Sequence, residues 1–125
     1  MRILLDTHVV LWWLNDDPSL GTKARCLIGD PANTIFLSSV CTWEIWLKKS
    51  LGKLELPNDF EKWMAKEEFE PLPLTAAHTR LVAELPWHHR DPFDRMLIAQ
   101  AVAADLMLLT SDERLSAYGN FVKPA

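Results

Sequence analysis

Two textures of apolar residues alternate along the chain. The first is the short unbroken run, at Arg2–Leu5, Thr34–Leu37 and Leu106–Leu109. Runs of this length with no polar alternation read as strands buried on both faces. The second is the longer stretch with helical spacing. It predicts helices over about His8–Leu14, Thr22–Ile28, Ser39–Ser50, Asn58–Lys66, Ala76–Leu85 and Pro92–Ala104. The breaks carry the expected residues. Asn15-Asp16-Asp17-Pro18, Gly29-Asp30-Pro31 and Gly52 stop helices, and Pro57-Asn58-Asp59 starts one. Ser38 or Ser39 caps the third helix, Thr75 the fifth and Asp91 the sixth. Glu70–Leu74 predicts a short edge strand, since Pro71 and Pro73 forbid a central one. Pro86–Arg90 reads as a loop, and a last short strand includes Phe121 and Val122. Strands separated by helices imply the α/β class, with a parallel sheet covered on both faces. Ligands of such sheets bind outside the carboxyl ends of the strands.

The 125 residues fit one domain, 1–125, and 49% hydrophobic content is enough for a proper core. No apolar run approaches the roughly 18 residues that span a bilayer. Asp6 interrupts the first apolar run too early for a signal peptide. The two cysteines, Cys26 and Cys41, lie in apolar stretches outside any CxxC pattern, which reads as buried, reduced thiols in a cytoplasmic protein. A net charge of −4 argues against a plain nucleic-acid coat protein. It leaves room for a nuclease, in which divalent ions held on carboxylates supply positive charge at the phosphate. Six tryptophans are many for this length, and interfaces are enriched in Trp.

Placed on this scheme, the acids converge. Asp6 directly follows the first strand, and Asp112 follows Leu106–Leu109. Asp91 and Asp94 open a helix, and Glu44 sits among Trp43, Ile45, Trp46 and Leu47, where burial without a partner is costly. Carboxylates crowded at one sheet edge repel, and a divalent cation such as Mg²⁺ or Mn²⁺ relieves that repulsion. Each acid also has a plain structural role. Asp6 caps the helix near His8, Glu44 pairs with Lys48 four residues on, Asp91 is a helix cap, and Asp112 caps a turn through Arg114.

Other chemistry is less well supported. His88 and His89 are adjacent and point apart, and with Asp91 they lack the cysteine or third histidine of a zinc site. His8 and His78 read as ordinary surface or core histidines. There is no Gly-rich phosphate loop and no GxSxG elbow, and Ser38, Ser39 and Ser111 have no placed His partner. Met96, Leu97, Ile98, Ala101 and Val102 read as the core face of a helix. Arg90, Arg95, Lys48, Lys49 and Lys53 are candidates for contact with a phosphate backbone, or simply a solvated surface.

Leu4-Leu5-Asp6-Thr7-His8 resembles the opening of PIN-domain proteins. His89–Ala101, with its Asp-Pro-Phe-Asp-Arg core, is similar to a segment of the VapC-like toxins of that family, and Ser39–Glu44 and Thr110-Ser111-Asp112 fall where the family places its remaining motifs. The resemblance covers essentially the whole chain. It implies a three-layer α/β/α fold with a central parallel sheet of four to five strands. It implies Asp6, Glu44, Asp94 and Asp112 as the metal-binding and catalytic acids, with Asp91 as an extra acid and Thr110 as a nearby hydroxyl. The activity implied is Mg²⁺-dependent endoribonuclease cleavage by the toxin of a toxin–antitoxin pair, dimeric and inhibited by its antitoxin. The alternatives are a catalytically idle protein-binding or regulatory domain, and a structure-specific DNA nuclease. The residues add one expectation about partners. His8–Leu14 is apolar nearly all round, and Trp12 and Trp13, about 100° apart, cannot both point inward. This helix, with Trp43 and Trp46 nearby, therefore predicts an exposed apolar patch for a second copy or an antitoxin.

Overall fold

A computed structural model describes residues 1–125. The elements in chain order are β1 (Arg2–Leu5), α1 (Thr7–Leu14), α2 (Thr22–Gly29), β2 (Thr34–Ser38), α3 (Ser39–Ser50), α4 (Phe60–Lys66), β3 (Glu70–Leu72), α5 (Ala76–Val82), α6 (Pro92–Ala104), β4 (Met107–Thr110), a short 3₁₀ helix (Glu113–Tyr118) and β5 (Val122–Pro124). The five strands form one sheet in the order β3-β2-β1-β4-β5, and every pairing is parallel. The proline-bearing strands β3 and β5 are its two edges, where a missing N–H interrupts no ladder.

Alternation along the strands divides the core in two. Ile3, Leu5 and Leu109 face Val9, Val10, Ala24, Ile28 and Phe60 on one side of the sheet. Leu4 and Leu108 face Val40, Cys41, Leu97, Ile98 and Leu115 on the other. The result is the three-layer α/β/α arrangement expected of a parallel sheet. No helix is long and apolar enough to cross a membrane.

The connectivity creates a crevice. From β1 the chain steps outward through β2 to β3, then returns to lay β4 on the other side of β1 and moves on to β5. The carboxyl ends of β1 and β4 therefore lead away in opposite directions, which opens a gap between them. Leu5 is in register with Leu109, and the Asp6 N–H donates to the Leu109 carbonyl at 3.0 Å.

Five expectations are corrected. α5 ends at Val82, short of Leu85, because Ala83, Glu84 and Leu85 bond three residues back in a tightened turn while the Arg95 guanidinium takes the Val82 and Leu85 carbonyls. Arg95 is accordingly buried, neither solvated nor free for RNA. Cys41 is buried but Cys26 is exposed, since α2 buries only Ala24 and Ile28. Val102 is exposed, although Leu97, Ile98 and Ala101 on the same helix are core. The apolar surface also differs from expectation. Trp12 and Trp13 are both half-buried against the core, whereas Trp43, Leu51 and Trp87 are the widely exposed apolar side chains near the carboxyl edge and α3.

Candidate active site

Asp6 is the first residue beyond β1, so its side chain enters the crevice. Its Oδ1 caps α1 by accepting the Val9 N–H at 2.9 Å. Its Oδ2 accepts the Thr110 hydroxyl at 2.5 Å and the Ser111 N–H at 2.9 Å. The residue is 3% exposed. Burial pushes its carboxyl up from the ordinary value, and the bonds from Thr110, Val9 and Ser111 oppose that rise.

Glu44 belongs to the buried stripe of α3 with Val40, Cys41 and Ile45, which explains a carboxylate only 5% exposed. Thr7 donates to its Oε1 at 2.6 Å, and Lys48 donates to its Oε2 at 2.5 Å. The expected i,i+4 pair is therefore present and lies inside the cleft. Lys48 is thereby placed on a carboxylate.

Asp91 is the N-cap of α6, and its Oδ1 accepts the Asp94 N–H at 2.9 Å. Pro92 takes the first helical position. Asp94 then stands where the second half of a capping box would reach back to the Asp91 N–H. That N–H is already given to His89 Nδ1 at 3.0 Å. The Asp94 carboxylate is left without a hydrogen bond from the protein, and His89 Nε2 stands 3.8 Å from its Oδ2. Burial first, then the charges of Asp91 and Asp6, push its pKa up to about 7.

Asp112 follows β4 and caps the 3₁₀ helix. Its Oδ1 accepts the Arg114 N–H and Nε–H, each at 3.0 Å, and its Oδ2 accepts Arg114 Nη2 at 2.8 Å and His89 Nε2 at 3.0 Å. The Arg114 side chain holds this carboxyl well below the usual range, and Arg114 is raised in return. Thr110 joins the two ends of the site, since its hydroxyl donates to Asp6 and accepts the Asp112 N–H at 3.0 Å.

Asp6, Glu44, Asp91, Asp94 and Asp112 all line one cleft of about 640 Å³, and of its 15 lining residues only one is hydrophobic. So polar a lining suits a charged ligand better than an apolar one. Within the cleft, the ligand atoms of His89, Asp94 and Asp112 lie within 4.8 Å of one another, while Asp6 and Glu44 stand outside that trio.

The PIN domain family model matches residues 3–120. The chain belongs to the PIN-domain family. Its sequence is 26% identical over 120 residues to Ribonuclease VapC22 of Mycobacterium tuberculosis, covering 93% of this chain and 91% of that relative. Among solved structures it is similar to VapBC2 from Rickettsia felis bound to a DNA fragment from their promoter, with a TM-score of 0.75 at 18% identity over 99% of this chain and 98% of that one. VapBC-5 from Mycobacterium tuberculosis, a member of the VapBC family of toxin-antitoxin systems, gives a TM-score of 0.62 at 19% identity over 98% of this chain and 96% of that one. These likenesses show the PIN fold.

Three residues of this PIN-domain cleft escape sequence reasoning. His89, set aside with the zinc reading, turns into the acids. Thr7 holds Glu44 across 37 positions, a distance that no local pattern reveals. In the sequence Arg114 is only part of the turn that Asp112 caps, yet its guanidinium grips both carboxylate oxygens. For His89 a signal did exist, because an N-cap residue has an orphan backbone N–H and a histidine two positions earlier can accept it.

Proposed function

We propose that residues 1–125 form a single PIN domain that acts as a divalent-metal-dependent endoribonuclease, the toxin of a toxin–antitoxin pair. The observation that carries this reading is Asp94. It is a carboxylate pressed among other acids at the carboxyl edge of the sheet, bonded to no donor, with its pKa pushed up to about 7. A carboxylate that no protein group bonds, crowded by Asp91 and Asp6, fits a hard divalent cation, and Mg²⁺ or Mn²⁺ suits the oxygen donors around it. Asp6, Glu44, Asp94 and Asp112 would hold the ion. Once bound, it would supply positive charge to a scissile phosphate and make water a better nucleophile.

The chain's own residues prepare this site. Thr110 and the Ser111 N–H fix Asp6, while Thr7 and Lys48 fix Glu44. Four donors fill the lone-pair positions of Asp112. Of these, the Arg114 side chain is 72% exposed and free to swing toward a phosphate, which releases two of those positions for a ligand. Lys48 and Arg114 bring positive charge to the cleft lining, where an anionic backbone would enter.

The names carried by Ribonuclease VapC22 and the VapBC structures support the substrate class and an antitoxin partner for this chain. A homodimer and a cytoplasmic location belong to the same reading. The test is cleavage of RNA and DNA strands of one sequence by the purified chain with Mg²⁺. Internal cuts in RNA alone are expected. Cutting of DNA alone, or of neither strand, would overturn the proposal.

A further inference from the structure

His89 lies in the loop between α5 and α6, and its side chain is only 9% exposed. Its Nδ1 faces the backbone N–H of Asp91 at 3.0 Å. An amide N–H can only donate, so Nδ1 accepts, and the proton of the neutral ring sits on Nε2. That N–H points at Asp112 Oδ2, 3.0 Å away, and stands 3.8 Å from Asp94 Oδ2.

An imidazole beside two carboxylates invites assignment as a metal ligand. The bond on its far side opposes this. A ligating imidazole turns a lone pair to the ion and donates its other N–H outward to an acceptor. Here the outward nitrogen meets a second donor. We propose that His89 is a positioning residue, locked as an Nε2–H donor, that orients Asp112 and is not itself a metal ligand.

The surroundings keep the ring in place. The His89 N–H donates to the Tyr118 hydroxyl at 3.2 Å, and that hydroxyl donates to the Pro86 carbonyl at 2.9 Å. Arg95 Nη1 bonds both the same carbonyl, at 2.8 Å, and the same hydroxyl, at 3.1 Å. The loop is thus tied to a buried guanidinium at one end and to the cap of α6 at the other. Arg114, being exposed, can leave Asp112 when a phosphate or an ion arrives. His89, being buried, stays and keeps Oδ2 aimed.

The inference rests on the nuclease reading only for its kinetic arm. The direct test is the imidazole ¹⁵N and ¹H NMR pattern of His89, recorded in metal-free protein and again with saturating Mg²⁺ or Zn²⁺. An Nε2–H tautomer in all three states is expected. Loss of the Nε2 proton with a metal-induced shift would overturn the assignment, whether or not the chain cleaves RNA. In the kinetic arm, His89→Ala should lower kcat about 10–100-fold, the range for groups that orient ligands, with KM changed less than about twofold. His89→Gln, which keeps an N–H donor at similar reach, should recover most of that loss. A Gln variant as poor as Ala would refute the donor role.

Discussion

Two charged side chains that are neighbours on α6, Arg95 and Asp94, are held in opposite ways. Arg95 is 2% exposed and has no carboxylate partner. Yet its guanidinium donates to the carbonyls of Val82, Leu85 and Pro86 and to the Tyr118 hydroxyl, and it lies 3.8 Å from the centre of the Trp87 ring. The carboxylate of Asp94, one residue earlier on the same helix, accepts no hydrogen bond from the protein and has several like charges around it. The fully satisfied guanidinium of Arg95 serves the scaffold by ending α5 and setting the loop that carries His89. The half-buried, under-compensated Asp94 carboxylate is held in an unfavourable state by the rest of the fold, as perturbed groups at functional sites commonly are.

The contrast can be broken from either side. The largest effect is expected at Asp94. Asp94→Asn should lower RNA cleavage on the order of 10²–10³-fold, the scale for losing one group that stabilises transition-state charge. In metal-free protein the same change should leave stability equal or higher, because repulsion falls. Folded Asp94 keeps its proton up to a pH of about 7, while the unfolded chain releases it near 3.8. Between those values the folded state binds the extra proton, so its stability falls as pH rises through that window. Melting temperatures in chelator should show this decline, and Asp94→Asn should flatten it. An unchanged slope would mean that Asp94 is not the strained acid.

At Arg95 the expectation reverses. Arg95→Met roughly keeps the packing volume but removes every bond of the guanidinium and leaves the half-buried Leu85 carbonyl without a partner, and should cost about 1–3 kcal/mol in urea unfolding. A neutral result would show that this carbonyl finds water instead. The smallest effect is expected at Thr75, which caps α5 through the His78 N–H in a reciprocal capping box. Thr75→Ala should cost about 1 kcal/mol and leave RNA cleavage unchanged. A cleavage defect there would show that α5 is coupled to the cleft more tightly than its position implies.

Much of this is legible in the sequence because it is local. The unbroken apolar runs mark the buried strands; Asp6 follows the first directly, and Asp112 comes just past another, after Ser111. Asp91-Pro92 announces a helix start by cap and ring chemistry, and the structure has that cap. The plain structural roles of Asp6, Glu44, Asp91 and Asp112 are also present, so cap and cleft residue are not competing descriptions here. What stays hidden depends on chain crossings. His89 meets Asp112 across 23 positions, and Thr110 meets Asp6 across 104. The burial of Arg95 is equally opaque, since its partners are backbone carbonyls that no side-chain pattern records. The half-burial of both Trp12 and Trp13 likewise depends on how α1 packs against neighbouring helices and the sheet, which helical periodicity alone does not fix.

In the proposed function the acidic cleft is a metal-dependent nuclease centre organised around Asp94. Its most direct test is cleavage of a single-stranded RNA by the purified chain as free Mn²⁺ is titrated from chelator upward, with Asp94→Asn run in parallel. Cleavage that is absent in chelator, saturates with Mn²⁺, and is nearly abolished in the variant at every concentration is the predicted result. Full cleavage in chelator, or an Asp94→Asn protein that cuts as well as the wild type, would contradict it.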